Sequence, residues 1–306
     1  MVGAANLTVQ ALEPPRRPSP ARRLATFLYI HPRLQLSLLL AGPIGWLVVA
    51  YLGSLAVLFV ASLWQLDDFS GKIVHEFSFH NFKTLFTSEV YRTITTRTLG
   101  MGAAVTLTDF VLAVPIAYYM AKVATPRMRG LLVVAVLMPL WSSYLVKVYA
   151  WRVILQEEGI LNWALGPLGL SGPGFGWVGA WLVFSYLWLP YMILPVYAGL
   201  ERIPDSLLEA SGDLGARAGR TFRRVVLPLL LPAAVAGSIF TFSLTIGDFI
   251  TPQLVYQGKQ FIGNVVYANV GVANNLPLAA AFATFPVAVM VVYLLMARRT
   301  GAFENL

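Results

Sequence analysis

Two acidic residues lie inside long apolar stretches of the sequence, and they are well suited to bind a charged solute. Asp109 and Asp248 each interrupt a run long enough to cross a membrane. A carboxylate in such a position is costly, so it is a functional candidate by default. Aromatic rings attract cations, and the candidates for this role are Trp141, Tyr144 and Tyr149. These five residues are therefore the candidates for a solute pathway.

Each of these candidates also has a structural interpretation. Asp109 could hydrogen-bond to Thr106 within its own helix, or lie near a water-filled face. Asp248 precedes Thr251 and Pro252, where a helix usually ends, so it could cap a helix or mark the membrane interface. Most aromatic side chains in such a sequence belong to interfacial belts or to packing. For Asp248 we favour the solute pathway.

Motifs for soluble catalysis are weak or missing in the sequence. Residues 174–179 fit the spacing G-x-G-x-x-G, but no strand precedes them, so a loop entering a helix is the better interpretation. The three histidines lack the H-E-x-x-H spacing, and the absence of cysteine excludes thiolate metal sites. No phosphate-binding P-loop motif occurs. We therefore expect no catalytic residue, no metal and no cofactor in this chain.

The composition indicates a membrane protein that crosses the bilayer several times. The chain has 306 residues, of which 58% are hydrophobic and 12% are charged, and its mean hydropathy is +0.69. Soluble domains have roughly 25% charged residues. A span needs about 20 apolar residues, and six stretches qualify. The sequence thus predicts an all-α polytopic membrane protein with six transmembrane helices, over residues 34–66, 95–121, 131–152, 177–200, 227–249 and 277–297.

The distribution of basic residues predicts the orientation of these spans. With both termini in the cytoplasm, the inner segments hold 15 of the 22 lysines and arginines. This bias towards lipid headgroups explains the positive charge, so we expect no nucleic acid partner. Residues 1–33 are rich in proline and arginine and predict a disordered cytoplasmic arm. A cleaved signal peptide is the alternative, but the apolar run that follows is about twice the usual length.

The segment over residues 201–228 is polar, although it lies between two spans of the predicted domain 34–306. Ser206 and Glu209 have the spacing of a capping box, which predicts a helix that starts near Ser206. Gly215 can end this helix in a left-handed cap. One face of the helix would carry Leu207, Ala210, Ser211 and Leu214. A second short helix over residues 216–224 would place Arg217, Arg220 and Arg224 on one side.

These residues resemble a known signature. Glu209-Ala210-Ser211, then Gly215 after three residues, then Val225-Val226-Leu227-Pro228 after nine more, is similar to the EAA-x3-G-x9-I-x-L-P motif of permease subunits of ABC importers. The sequence departs from the motif at Ser211 and Val225, and both substitutions keep the size class. Segments 78–82, 113–119, 148–151 and 247–252 look like the spermidine/putrescine-type branch. Related branches move opines, phosphonates, and ferric or anionic solutes.

The resemblance implies a fold and a set of partners. It implies the type I ABC importer permease fold in a bacterial inner membrane, with a polyamine as the cargo. The loop would act as a coupling helix that docks on an ATPase, through Glu209, Ala210, Ser211, Leu214 and Gly215. ATP and Mg would be bound by that separate subunit, present in two copies. A second permease subunit, an extracytoplasmic solute-binding protein and membrane lipid complete the expected partners.

Several alternatives stay open at this stage. Capping alone would explain Glu209, and lipid headgroups alone would explain the arginines of the loop. The second permease could be a different chain or a second copy of this one. A secondary transporter usually shows two related halves, and no internal repeat is visible. A membrane-embedded enzyme would need a converging catalytic set, which the sequence lacks.

Overall fold

The computed structural model describes residue 27 and residues 29–67 and 69–299. Most of the arm predicted for residues 1–33 lies outside this part of the chain. Residues 29 and 30, at the end of the predicted arm, are helical, and helix α1 begins at Pro32. Proline suits the first turn of a helix, since the amide that it lacks would have no partner there.

Helix α1 (Pro32–Ser62) is the first predicted span and contains a π-helical segment, Leu47–Leu52. It ends four residues before the predicted limit of 66. Its side chains are apolar on every side, as expected for a helix in lipid. The chain divides into two compact units between Val57 and Leu58, and every element after α1 belongs to the second unit.

The short polar segment after α1 contains the only β-strands in the described part of the chain. Strands β1 (Gln65–Leu66) and β2 (Ile73–Val74) pair in an antiparallel ribbon. Helix α2 (His80–Thr87) follows it. The side chain of Asn81 donates to the carbonyls of Ser62 and Trp64, at 3.0 and 2.7 Å. This side chain therefore ties α2 to the end of α1 within the second unit.

The turn between the two strands is organised by Asp67. Its carboxylate accepts a hydrogen bond from the Ser70 hydroxyl at 2.6 Å and another from the Phe69 amide at 3.2 Å. These bonds hold the pKa of Asp67 below its usual range, because they stabilise the charged form. The turn is exposed and lies outside the spans.

Three long helices form the core of the second unit: α3 (Glu89–Val123), α7 (Trp177–Glu201) and α9 (Ala218–Gly247). The predicted spans 95–121, 177–200 and 227–249 fall on them and are confirmed as helices. Each helix packs on both of the others. The buried side chains of α3 recur at helical spacing, which is why one stripe of this helix faces its neighbours: Thr98, Met101, Val105, Asp109, Ala113 and Ala117.

Helices α7 and α9 approach each other closely at two glycines. A β-carbon at Gly199 would lie 2.5 Å from the β-carbon of Ala233. A β-carbon at Gly237 would lie 2.8 Å from the sulfur of Met192. No side chain fits at either position without movement of the neighbour. Small residues allow such close contact between membrane helices, where van der Waals packing drives association.

The third span is broken, and the prediction of one continuous helix over residues 131–152 is wrong. Helices α4 (Pro126–Trp141) and α5 (Tyr144–Ile154) meet at an angle of 91°. The two serines between them have extended backbones. The carbonyl of Pro139 accepts from the Ser142 hydroxyl at 2.9 Å and from the Lys147 ammonium at 3.1 Å. These donors replace helical partners that the break removes.

The remaining helices are shorter, apart from the last span. They are α6 (Ile160–Leu165), α8 (Asp205–Asp213), α10 (Ile250–Val255), α11 (Ile262–Gly271) and α12 (Leu276–Arg298). Helix α12 confirms the sixth predicted span, 277–297. The described chain thus has five helices long enough to cross a membrane and a sixth span if the bent pair α4–α5 counts as one. The glycine-rich residues 174–176 form a loop before α7, as predicted.

Candidate functional site

Helix α8 lies between α7 and α9, where the sequence carries the coupling signature. It begins at Asp205, and Pro204 occupies the N-cap position without any side-chain cap. The predicted capping box of Ser206 and Glu209 is therefore wrong, because the helix starts two residues earlier than this box requires. Asp205 lies in the first turn, where the positive end of the helix dipole favours an acid. Glu209 is exposed, so capping does not explain it.

Gly215 ends α8 in the predicted left-handed cap, which the structure confirms. Its φ angle is 75°. The Gly215 amide donates to the Gly212 carbonyl at 2.8 Å, and the Ala216 amide donates to the Ser211 carbonyl at 3.0 Å. These two bonds are those of a Schellman motif. The position requires glycine, because other residues rarely adopt a positive φ.

The inner face of α8 is attached to the bundle. Leu208 packs against a buried cluster that includes Leu200, Ile203 and Val226. Ser211 is half-buried, and its hydroxyl lies 2.9 Å from the hydroxyl of Thr221 on α9. Of the four residues predicted to share one face, Leu207, Ala210 and Leu214 are exposed, whereas Ser211 lies at the border with the bundle.

The outer face of α8 is apolar and open. Leu207 is 43% exposed and Leu214 is 88% exposed, and Ala210 between them is exposed as well. A leucine that is almost fully exposed contributes little to the stability of this chain. An apolar face beside exposed Glu209 suits contact with another protein.

The second short helix predicted over residues 216–224 does not exist as a separate element. Helix α9 begins at Ala218 and continues through a π-helical turn, Phe222–Val226, into the span. Pro228 follows this turn, and a proline leaves one helical carbonyl without its partner, so a local change of helix geometry is expected here. The predicted arginines of this segment are exposed: Arg217, Arg220 and Arg224.

Asp248 and Tyr144 come together at the far end of α9. The Asp248 carboxylate accepts from the Tyr144 hydroxyl at 2.5 Å and from the Thr251 hydroxyl at 2.7 Å. Its other oxygen accepts from the amides of Ile250 and Thr251, at 2.8 and 3.2 Å. Asp248 therefore caps the start of α10 and joins it to α5. In this conformation the capping interpretation of Asp248 is realised.

Asp109 has the opposite environment. Its side chain has no exposed surface, and neither carboxylate oxygen has a hydrogen-bond partner among the described residues. The hydroxyl of Ser185 on α7 approaches it and also lacks a partner. The predicted bond from Thr106 is not formed, because neither oxygen of Asp109 has a partner among the described residues. The Thr106 hydroxyl accepts a hydrogen bond from Thr241 on α9 at 3.3 Å. A buried carboxyl without a partner is costly and calls for an explanation.

The remaining aromatic candidates are separated from these acids. Trp141 is 82% exposed and Tyr149 is 52% exposed, on the outer surface of the bent span. Tyr144 instead stacks on Trp188 of α7, with ring centroids 6.0 Å apart. The buried indole N–H of Trp188 has no hydrogen-bond partner within the described ranges. The five pathway candidates therefore do not form one cluster in this conformation.

Local sequence patterns do not reveal the side chains that hold the end of α3 to α7 and α8. Lys122 and Arg129 are two of the 15 basic residues in the predicted inner segments. Both form ion pairs at this end of the bundle, with Asp205 and Glu201 respectively. Asp205 is 83 positions from Lys122 in the chain, so only the fold brings them together.

The opposite end of α3 borders an open cavity of about 890 Å³. Its walls come from the first turns of α3 and from the α10–α11 region. Glu89, Arg97 and Lys259 supply charge, and Arg97 also lies over the ring of Tyr256 at 5.8 Å. No group of three or more metal-binding side chains occurs in the part of the chain that the structure describes.

In the described chain, five long apolar helices and the bent pair α4–α5, with the short exposed helix α8 between α7 and α9, have the arrangement of a class of protein, the membrane-spanning permease subunit of an ABC transporter. The chain belongs to the family of binding-protein-dependent transport system inner membrane components, whose model matches residues 98–300. It is a transport subunit of a bacterial inner membrane and not an enzyme.

Relatives of known name agree with this family. The chain is 44% identical to the inner membrane ABC transporter permease protein YdcU of Escherichia coli K12, over 98% of this chain and 100% of the relative. It is 31% identical to the spermidine/putrescine transport system permease protein PotB of Haemophilus influenzae, over 78% of this chain and 84% of the relative. The PotB protein of Escherichia coli K12 is 30% identical, over 86% of this chain and 96% of the relative.

Solved structures have the same fold. A chain of a bacterial alginate ABC transporter, solved with an alginate-bound periplasmic protein, superposes with a TM-score of 0.71 at 20% identity. The match covers 91% of this chain and 97% of that chain. A chain of the MetNI methionine ABC transporter gives a TM-score of 0.53 over 70% of this chain and 97% of that chain. The predicted type I importer permease fold is confirmed.

Proposed function

We propose that this chain is a permease subunit of an ATP-driven importer of polyamines such as spermidine or putrescine. The observation that carries the proposal is α8, which combines the EAA-like signature with an exposed apolar face and a glycine cap at the expected position. The similarity to PotB proteins supports the choice of polyamine. A neutral, anionic or iron-containing solute is the alternative cargo within the same family.

We further propose that both termini and α8 lie in the cytoplasm. The distribution of lysine and arginine between the loops supports this orientation. The cavity beside Glu89 and Lys259 then opens on the extracytoplasmic side. A solute-binding protein would deliver its cargo to this side of the membrane.

In this proposal the ATPase subunits move when they bind ATP, and α8 is the element of the permease that moves with them. Reversing a 1:99 equilibrium between two conformations takes about 5.5 kcal/mol of differential interaction, which a flexible loop does not transmit. The exposed residues Leu207, Ala210 and Leu214, together with Glu209, would dock on the ATPase. Ser211 would support them from the inner face, through its contact with Thr221. Gly215 fixes where the helix ends.

The assembly follows from one coupling helix in each permease chain. Two ATPase subunits need two such helices, so this chain pairs with a second permease subunit, which we propose to be a similar but different chain. ATP and Mg are bound by the ATPase copies, since no P-loop motif occurs in this sequence. A measurement of the mass of the purified complex tests this composition, and a functional complex with one permease copy would contradict it.

The solute pathway is proposed to use the acids and aromatics of the spans. A cation that crosses the bilayer needs acidic or aromatic surface, because desolvation is otherwise too costly. Trp141 and Tyr149 are exposed in this chain and would face the second permease. Asp248 and Tyr144 are bonded to each other here, and Asp109 is buried, so these three would meet solute only after the bundle changes conformation.

Transport by the complete complex tests the assignment of cargo. The tagged chain is purified with its partner subunits, reconstituted in vesicles with ATP, and supplied with the solute-binding protein and labelled spermidine or putrescine. We expect ATP-dependent uptake of the polyamine. Uptake of an anionic or neutral solute without any response to polyamines would reject the cargo and keep the importer assignment.

Two substitutions in the same complex test the coupling role of α8. Gly215→Val strains the left-handed cap, whereas Gly212→Ala is a matched control, since a β-carbon at Gly212 meets no atom within 4 Å. Leu214→Asp places a charge on the docking face at a position with little effect on folding, because the side chain is 88% exposed. We expect Gly215→Val and Leu214→Asp to uncouple ATP hydrolysis from uptake. Normal coupling in both variants would reject the role.

A further inference from the structure

The cytoplasmic end of α3 is tied to the start of α8 by one lysine. The Lys122 ammonium donates to the Ile203 carbonyl at 2.6 Å and to the Asp205 carboxylate at 2.7 Å. The Lys122 side chain is only 11% exposed, whereas that of Asp205 is 75% exposed. Lys122 therefore reaches from a mostly buried position and holds both the turn before α8 and its first residue.

An arginine makes a second connection at the same end. The guanidinium of Arg129, on α4, donates to the carbonyls of Met120 and Ala121 at 3.1 and 2.9 Å. These carbonyls belong to the last turn of α3, where helical partners are missing. A further N–H of Arg129 donates to Glu201, the last residue of α7, at 3.2 Å. Arg129 thus joins the ends of three spans.

A tyrosine also binds Glu201, and the end of α3 beside these ion pairs is not a regular α-helix. The Tyr197 hydroxyl donates to the Glu201 carboxylate at 2.5 Å. The end of α3 is a π-helical turn, Tyr119–Val123, which contains Lys122. Single π-helical turns inside helices are frequent at functional sites. The ion pairs and the π-helical turn therefore occur together at this end of α3.

We propose that Lys122, Asp205, Arg129 and Glu201 form an ion-pair clasp that transmits the displacement of α8 to the spans. The inference rests on the proposed coupling function of α8. Apolar contact through Leu208 is non-directional and tolerates sliding of one surface over another. Charge-assisted hydrogen bonds fix distance and direction. Because Lys122 binds a backbone carbonyl as well as Asp205, a movement of α8 pulls directly on α3.

The clasp acts through α8 and does not bind the ATPase or the solute. Asp205 is the member that faces solvent, and it lies on the first turn of α8, away from Leu214 at the other end of the helix. Arg129 and Glu201 hold α4 and α7 to α3. The three spans therefore move with α8 as one body, and Lys122 and Arg129 are positioning residues.

A double-mutant cycle in the reconstituted complex tests the clasp. Lys122→Met removes the charge and keeps most of the packing, Lys122→Arg keeps the charge and the donors, and Asp205→Asn removes the acid at an exposed position. Uptake per ATP hydrolysed is the readout, together with the amount of ATPase that co-purifies. Lys83→Met, an exposed lysine on α2, is the matched control.

We expect Lys122→Met to lower uptake per ATP about tenfold, with the amount of bound ATPase unchanged. Lys122→Arg should restore most of the ratio, and Lys83→Met should leave it at the wild-type value. The double variant Lys122→Met/Asp205→Asn should be no worse than Lys122→Met alone, because both changes break the same contact. A purely structural role would lower the yield of complex and leave the ratio unchanged.

The outcomes separate the clasp from the function on which it rests. A wild-type ratio in Lys122→Met, or a double variant whose loss is the product of the two single losses, overturns the clasp if Leu214→Asp still uncouples the complex. If Leu214→Asp and Gly215→Val both leave coupling intact, the proposed function of α8 fails, and the clasp fails with it.

Discussion

Asp109 and Asp248 give the same signal in the sequence and have opposite environments in the fold. Both are acids in long apolar stretches. Asp248 accepts four hydrogen bonds at the junction of α9 and α10. Asp109 is fully buried on α3 and has no hydrogen-bond partner in the part of the chain that the structure describes. An acid in a span is therefore a candidate for two different roles, a structural cap or a functional group. The bonds of the carboxylate distinguish them.

The largest effect on stability is expected at Asp248. Asp248→Ala removes four hydrogen bonds and leaves the Tyr144 hydroxyl and two amides without this acceptor, so it should destabilise the complex by about 3 kcal/mol. Thermal unfolding of the purified complex measures the loss. Asp248→Asn is the milder control, since its oxygen still accepts from the amides. A variant as stable as the wild type would show that the cap is dispensable.

Asp109 should respond in the opposite direction. Asp109→Leu removes an unpartnered buried carboxyl, so the complex should keep its stability or gain about 1 to 3 kcal/mol. Polyamine uptake should fall in the same variant, more than basal ATP hydrolysis does. Strong destabilisation would mean that the carboxyl is satisfied in the assembled complex. Unchanged uptake would remove Asp109 from the proposed pathway.

Tyr144→Phe refines the interpretation of Asp248. The substitution removes one donor to the carboxylate and keeps the stacking on Trp188, so it should destabilise the complex by about 1 kcal/mol. If Tyr144 acts only through this bond, Tyr144→Phe should add nothing to the loss in Asp248→Ala. A further loss in the double variant would indicate a separate role for the tyrosine hydroxyl.

The smallest effect is expected at Asp67, whose carboxylate accepts hydrogen bonds in the turn between β1 and β2. Its lowered pKa comes first from the Ser70 hydroxyl and then from the Phe69 amide. A lowered folded-state pKa contributes stability above the unfolded value, and this contribution disappears as the pH falls through the folded value. The wild type should therefore lose its small advantage over Ser70→Ala on acidification below about pH 4. A difference in thermal midpoint that stays constant with pH would contradict this.

The sequence predicted those features that depend on local pattern. Hydropathy located the helices of the spans, and Gly215 marked the end of α8 because only glycine tolerates its φ angle. The capping box failed because Pro204 and Asp205 begin the helix earlier. The break in the third span was missed, since residues 131–152 are apolar on both sides of it and its backbone is satisfied by Lys147.

The ion-pair clasp shows what local pattern does not contain. Lys122 and Asp205 meet only because α3 and α7 pack along their length. Local pattern likewise does not predict the environment of Asp109, because that environment depends on which side chains of the neighbouring helices pack against it. Charge counts at the ends of the spans indicate which residues face water. They do not indicate which of these residues pair.

The glycine contacts between α7 and α9 have a consequence for the motions of the bundle. We expect the two helices to separate in one discrete opening event, because sliding would press Ala233 of α9 against the backbone of α7 and Met192 of α7 against the backbone of α9. Amide hydrogens along this contact should therefore exchange with deuterium together and slowly, as one cooperative unit. The small helix α11, which lines the open cavity, should exchange earlier.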